Sequence, residues 1–221
     1  MEKEVTKLFV DEMTQQKMYK IFGLRVVKKM KELEDWLNTP IKLTSTEELI
    51  CNYYQDQLLD NINNWNEQEL SLGFIGPILN LVKFKVPYKI TFFAQRPVSV
   101  QIGNYELYGK PDGMLASGFH EPEVPYFSFQ EFKKDVTSSG DPIGQNLAAM
   151  LVGQCLNEEK TPIYGCYVVG RLWYFMMLKE KEYAISKAYT ADDDEIIDIV
   201  KKLKSLRDIL FKKINYNITD E

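Results

Sequence analysis

Tyr108-Gly109-Lys110-Pro111-Asp112-Gly113, followed by Phe129-Gln130-Glu131-Phe132-Lys133, is the stretch on which the reading of the fold turns. Asp112 follows a proline and precedes a glycine. Glu131 and Lys133 lie two apart in an alternating run, so their side chains share one face of a strand. Two adjacent strands with these ends bring an acid, a second acid and a lysine to one point. Taken alone, Pro-Asp-Gly is a common tight turn, and the charged pair is an ordinary solvated strand face; the order of the elements around them decides between the readings.

Outward from that stretch, 221 residues with 45% hydrophobic content suffice for one substantial core. The 27 basic and 32 acidic residues give a formal charge of −5, which argues against a protein that coats nucleic acid by bulk charge. Cys51, Cys155 and Cys166 are odd in number and widely spaced, so neither a disulfide framework nor a zinc knuckle is expected. His120 is the only histidine, which removes a zinc site and a Ser-His-Asp triad from consideration. The charged N-terminus and the lack of a long apolar run predict a cytoplasmic protein without a membrane span. The sequon Asn217-Ile218-Thr219 carries no weight in that setting.

Along the chain, the first 38 residues read as helix, with Gly23 as a break and Asn38-Thr39-Pro40 as the stop. A second helix opens at Thr44, where Glu47 three positions on completes a capping box. Its spacing from Ile50 and Tyr54 puts Glu47 on the inward stripe. Gly73-Phe74-Ile75-Gly76-Pro77 reads as a turn. Strands are expected at Lys89 to Phe93, Val98 to Ile102, Glu106 to Leu115 and Tyr126 to Phe132. Asp141-Pro142 starts a helix over Ile143 to Leu156. Ile163 to Val169 and Leu172 to Leu178 form a hairpin, a short strand follows at Tyr183 to Lys187, and a last helix runs from Asp192 to Lys213, with an acidic start and a basic end. The expectation is an α/β (α+β) domain with a mixed central β-sheet flanked by helices.

Oxygen-rich groups beside a lysine suit phosphodiester hydrolysis. Asp112 and Glu131 can hold Mg²⁺ through carboxylate oxygens, with the backbone carbonyl of Phe132 as a further ligand and Mn²⁺ as a substitute ion. Lys133 would orient the attacking water or offset charge developing on the phosphate. Ser138-Ser139-Gly140 is either a phosphate-donor loop or a plain connection. Lys110, Arg96 and Lys134 are candidates for a backbone groove, and Tyr105, Tyr108, Tyr126 and Phe127 either stack bases or belong to the core.

Pro111-Asp112, then Glu131-Phe132-Lys133, resembles the PD-(D/E)xK signature of the restriction-endonuclease-like nucleases, over a little more than half the chain. The resemblance implies a core of helix, three strands, helix and strand, with the aspartate on the second strand and the acid and lysine on the third. It also implies a single restriction-endonuclease-like domain over 1–221, made of a helical extension (1–40), a nuclease core (41–190) and a C-terminal helix (191–221). Glu47 would be the helix acid that assists the metal, although a helix-start acid stabilised by the dipole is an equal reading. Gln145 would be the glutamine that follows the lysine in related nucleases, with Gln154 behind it. The implied activity is a Mg²⁺-dependent nuclease acting on DNA, with a homodimer serving to cut both strands. The alternative is a catalytically silent member of the fold that binds nucleic acid or a protein partner.

Overall fold

The computed structural model of the chain describes residues 5–135, 140–158 and 161–216. It opens with β1 (Thr6–Phe9), a 3-10 turn (Val10–Glu12), α1 (Gln15–Phe22), β2 (Arg25–Val26) and α2 (Lys31–Asn38). Then come α3 (Ser45–Asn61), α4 (Glu67–Leu70), a π-helical turn (Ser71–Ile75) and α5 (Gly76–Val82). Five strands follow: β3 (Thr91–Ala94), β4 (Val98–Ile102), β5 (Tyr105–Gly109), β6 (Gly113–Ser117) and β7 (Glu123–Lys133). After α6 (Pro142–Leu156) the chain makes β8 (Ile163–Val169), β9 (Leu172–Lys179), β10 (Glu182–Ile185) and β11 (Tyr189–Thr190), and closes with α7 (Glu195–Lys213).

The larger sheet runs in the order β2-β10-β9-β8-β7-β6-β3, with β11 beside β9. It is mixed: β7 and β8 are parallel, while β3·β6, β6·β7, β8·β9 and β9·β10 are antiparallel. A parallel pair needs a crossover, and α6 supplies it. One face packs under α2, α3, α5 and α7, with Trp36, Leu58, Phe74 and Leu203 in that core. The other carries α1, α6 and the small sheet β1-β5-β4, with Met18, Leu147 and Leu107 inside. Helices on both faces of a mixed sheet are thus the architecture expected from the order of elements. Strand β7 is shared by the two cores, Phe132 going to the first and Phe129 to the second. Glu131 and Lys133 therefore fall on the Phe129 side by the two-residue period.

Helix α6 is fixed at its start by Asp141. Its Oδ1 accepts from the N–H groups of Ile143 (3.1 Å) and Gly144 (3.0 Å), and its Oδ2 accepts from Gln15 N–H at 2.8 Å. One carboxylate thus caps α6 and ties α1 to it, while Pro142 occupies the position where a missing N–H costs nothing.

Three expectations are corrected. The first 38 residues are not one helical stretch, because β1 pairs in parallel with β5 and β2 with β10. Those partners lie far along the chain and override local helix propensity. Gly23 does end α1, at φ +72°, a conformation that costs a residue without Cβ little. Gly73 to Pro77 is not a turn but the middle of a continuous helical run. Pro77 has no N–H for the carbonyl four residues back, and its ring would collide with that carbonyl in a regular α-helix. The widened π turn, in which Gly76 N–H reaches Ser71 O, relieves both problems. Finally, Glu106 to Leu115 is two strands, since Lys110-Pro111-Asp112 carries the chain from the small sheet to the large one. Ser138, Ser139 and the sequon at Asn217 lie outside the described residues.

Asp141→Ala removes three accepted hydrogen bonds at once. It is expected to lower unfolding free energy by about 2 kcal/mol, with Asp141→Asn losing less, as read by urea denaturation; an unchanged midpoint for the alanine variant would contradict this anchoring role.

Candidate active site

The structure brings Asp112, Glu131 and Lys133 together. Asp112 lies just before β6, whose register with β7 begins at Gly113 opposite Gln130. Beyond that pair β7 continues without β6, and the exposed Phe132 N–H is taken by Asp112 Oδ2 at 2.8 Å. In a strand the N–H and C=O of one residue face the same neighbour, so the Phe132 carbonyl points to the Asp112 side as well. Lys133 has the opposite sense: its carbonyl accepts from Gly170 N–H at 2.8 Å, on the β8 side. Glu131 Oε1 and Lys133 Nζ are 2.8 Å apart on their shared face.

Two further residues complete the site and were not singled out in the sequence. Glu67, in the first turn of α4, stands 4.0 Å from Lys133 Nζ. Gln95, at the end of β3, donates its backbone N–H to the Asp112 carbonyl at 3.3 Å, and its side chain also bonds the Asp112 carboxyl. Gln95 has φ +51°, unusual for a side-chain-bearing residue and found where surrounding contacts hold the backbone in place. A depression of about 350 Å³ opens here, lined by Glu67, Ser71, Leu72, Gln95, Asp112 and Phe132 among others.

Glu47, the expected helix acid, is elsewhere. It closes the capping box of α3 with Thr44, and its carboxylate is ion-paired to Lys204 of α7. The far end of α3 is the one near the site, since Ile62 packs by Gly170. Fifteen residues of helix, roughly 22 Å, separate Glu47 from it. Glu67 has a matching local signature, a capping box made by Asn66 and Glu69 at the start of α4. Sequence shows two such helix starts, and only tertiary packing selects the second. Gln145 lies on the first turn of α6, is 4% exposed, and donates its amide to Asp11 O. Among the described residues none of its hydrogen bonds reaches Asp112, Glu131 or Lys133. Gln154 bonds to Glu180 O at the other end of α6.

The electrostatics follow from three carboxylates around one ammonium in a half-closed site. Burial pushes Glu131 up to about 7, with Asp112 adding to the rise and Lys133 opposing it. Asp112 is raised by burial against the pull of the Phe132 N–H and Lys133, and Glu67 is raised by burial against Lys133. For Lys133, burial works to lower its pKa, but Glu131 outweighs it and the net direction is upward. The surplus of negative charge and the oxygen-only donors, Asp112, Glu131 and the Phe132 carbonyl, fit a hard divalent cation of the Mg²⁺ type. Among the described residues no group of three or more His, Cys, Asp or Glu side chains is already gathered as a metal site. A cation of that type could be held by the two carboxylates and the carbonyl, with water completing its shell.

For two of the four aromatics that either stack bases or belong to the core, the structure gives the core. Tyr126 and Phe127 are core, whereas Phe92 on β3 is exposed and Tyr88 and Phe119 are exposed beyond the end of β3 and β6 opposite to Asp112.

Because Glu131 binds its proton more tightly folded (about 7) than at its ordinary value of 4.5, its contribution to stability is full below the ordinary value and is lost as pH rises through about 7. In EDTA the wild type should lose up to about 3 kcal/mol between pH 5 and pH 8, and Glu131→Gln should show a shallower slope over that window. Equal slopes in thermal or urea unfolding would contradict the burial of this acid.

No helix among the described residues is long and apolar enough to cross a membrane. The chain matches no protein-family model and no curated protein sequence, so its functional reading rests on the geometry of Asp112, Glu131 and Lys133.

Proposed function

We propose that the chain is a metal-dependent nuclease with a restriction-endonuclease-like core, hydrolysing phosphodiester bonds of nucleic acid, with DNA as the substrate. The single observation that carries this reading is the convergence of Asp112, Glu131 and Lys133 where β7 outruns β6. The order around them supports it: helix α3, then the antiparallel strands β3, β6 and β7, then α6, then β8 parallel to β7.

When bound, Mg²⁺ polarises a phosphoryl oxygen and lowers the pKa of a coordinated water. Asp112 and Glu131 would hold the cation through carboxylate oxygens, with the Phe132 carbonyl as a further donor. The Phe132 N–H holds one Asp112 oxygen and so sets the direction of the other. Lys133, positioned by Glu131 with Glu67 nearby, keeps an ammonium beside the reacting phosphate, where it offsets developing negative charge in a half-closed site. Glu67 holds an outer carboxylate 4.0 Å from Lys133 Nζ, where it would help to orient the ammonium. Gln145 braces the Val10–Glu12 turn in this arrangement.

The silent-fold reading has one observation in its favour, the absence of a ready-made cluster of three metal-ligating side chains among the described residues. Calorimetry with Mg²⁺ and Mn²⁺ separates the two: the nuclease reading expects binding that is lost in Asp112→Ala, the silent reading none.

Cleavage of single-stranded, duplex and branched DNA and of RNA, with Mg²⁺ or Mn²⁺, tests the activity itself. Asp112→Ala, Glu131→Ala and Lys133→Ala are each expected to lower the rate by a factor of at least about 100 without unfolding the chain, and full activity in any of them would sink the assignment. Glu67→Gln should lower the rate, whereas Glu47→Gln should leave it intact and act on stability through Lys204; the reverse pattern would contradict the placement of the helix acid.

A further inference from the structure

A groove leads away from Asp112. Its first part is the depression beside the site, walled by Ser71 and Leu72 on the helical run and by Ala94 and Gln95 on β3. Its second part, about 570 Å³, lies between the same two elements one stage further, with Gly76, Leu79 and Asn80 on one wall and Thr91 and Phe92 on the other. Phe92 joins the two, because its ring reaches over Gly113, the residue after Asp112: a Cβ there would fall 2.6 Å from Phe92 Cζ.

The chemistry changes sign along this path. At the site end stand Glu67, Asp112 and Glu131. At the other end stand Lys83, Lys85 and Lys89, all exposed and none in an ion pair with a described residue. Beside them Tyr88, 71% exposed, stacks on Phe119 with ring centroids 5.1 Å apart and planes at 29°. Tyr88 holds φ +61°, an uncommon conformation for an aromatic residue, and Leu72 is 72% exposed on the opposite wall. Apolar walls, a displayed aromatic pair and three exposed ammonium groups match a single strand of nucleic acid, whose bases stack on rings and whose phosphates need only scattered cations. A duplex would ask for cations along both backbones, whereas at the site end Lys133 is already engaged by Glu131.

We propose that this groove binds a single-stranded nucleic-acid segment continuous with the substrate, its bases resting on Phe92 and on the Tyr88–Phe119 pair and its phosphates on Lys83, Lys85 and Lys89. The inference takes only the position of the scissile phosphate from the nuclease reading. Gly118 N–H meets Tyr88 O at 3.4 Å, and the six residues from Asp112 to Gly118 span roughly 20 Å of extended chain. That length accommodates about six nucleotides at the duplex-like spacing of ~3.4 Å each.

The test is fluorescence anisotropy of the full chain in EDTA, where cleavage is off, with a labelled 15-nucleotide oligothymidylate and a 15-base-pair duplex as probes. Wild type should bind the single strand more tightly than the duplex. Tyr88→Gly, which keeps the backbone conformation and removes the ring, should weaken single-strand binding at least about fivefold. The pair Lys83→Ala and Lys85→Ala should weaken it as well and reduce the log–log salt slope by about 1.4. Lys29→Ala with Lys181→Ala, which line a different depression by β10, should change nothing. No single-strand binding by wild type, wild-type affinity in the groove variants, or equal losses on the duplex would overturn the proposal. Failure of the Mg²⁺ cleavage assay with this binding pattern intact would remove the nuclease reading and leave the groove standing.

Discussion

The hydrogen bond from Phe132 N–H to Asp112 Oδ2 is the constraint on which the arrangement of the site depends. Strand β7 is long and β6 is short, so pairing runs out at Gly113 and leaves backbone groups of β7 without a sheet partner. A buried N–H left unpaired would cost on the order of 1–3 kcal/mol. Asp112 satisfies it and, by doing so, is held beside Glu131 and Lys133. The same bond fixes which way the Phe132 carbonyl faces, so one contact orients two of the three oxygen donors.

Around that contact the protein tolerates a poor local electrostatic solution. Three carboxylates share Lys133, burial raises the proton affinity of each, and Glu131 is carried up to about 7. A chain selected for stability alone would replace such a group by apolar packing. Perturbed acids converging in a depression are the usual mark of a site that meets a charged ligand. The Glu47–Lys204 pair makes the contrast. There one carboxylate meets one ammonium and a capping box, and its pKa is lowered on balance, with Lys204 and Thr44 overcoming the opposing effect of burial.

Much of the fold was legible because its signals are local. Asp141-Pro142 announced α6, the apolar runs announced β8 and β9, and the alternation around Glu131 and Lys133 put both on one face. What stayed hidden depends on partners distant in sequence. Strands β1 and β2 exist because β5 and β10 are there to pair with them, and a window of sequence carries no trace of that. Gly73 to Pro77 looked like a turn, yet a single π turn absorbed Pro77 within a helical run. The choice between Glu47 and Glu67 had the same origin: both begin a helix with a capping box, and only the packing of α3 and α4 against the sheet says which end meets Lys133.

The proposed nuclease site requires Asp112, Glu131 and the Phe132 carbonyl to hold a divalent cation together. Its most direct test is anomalous diffraction from crystals grown or soaked with Mn²⁺. The expected result is one strong manganese peak within coordination distance of Asp112, Glu131 and the Phe132 carbonyl, absent in crystals of Asp112→Ala. A well-ordered site with no such peak, or manganese bound elsewhere with these oxygens untouched, would contradict it.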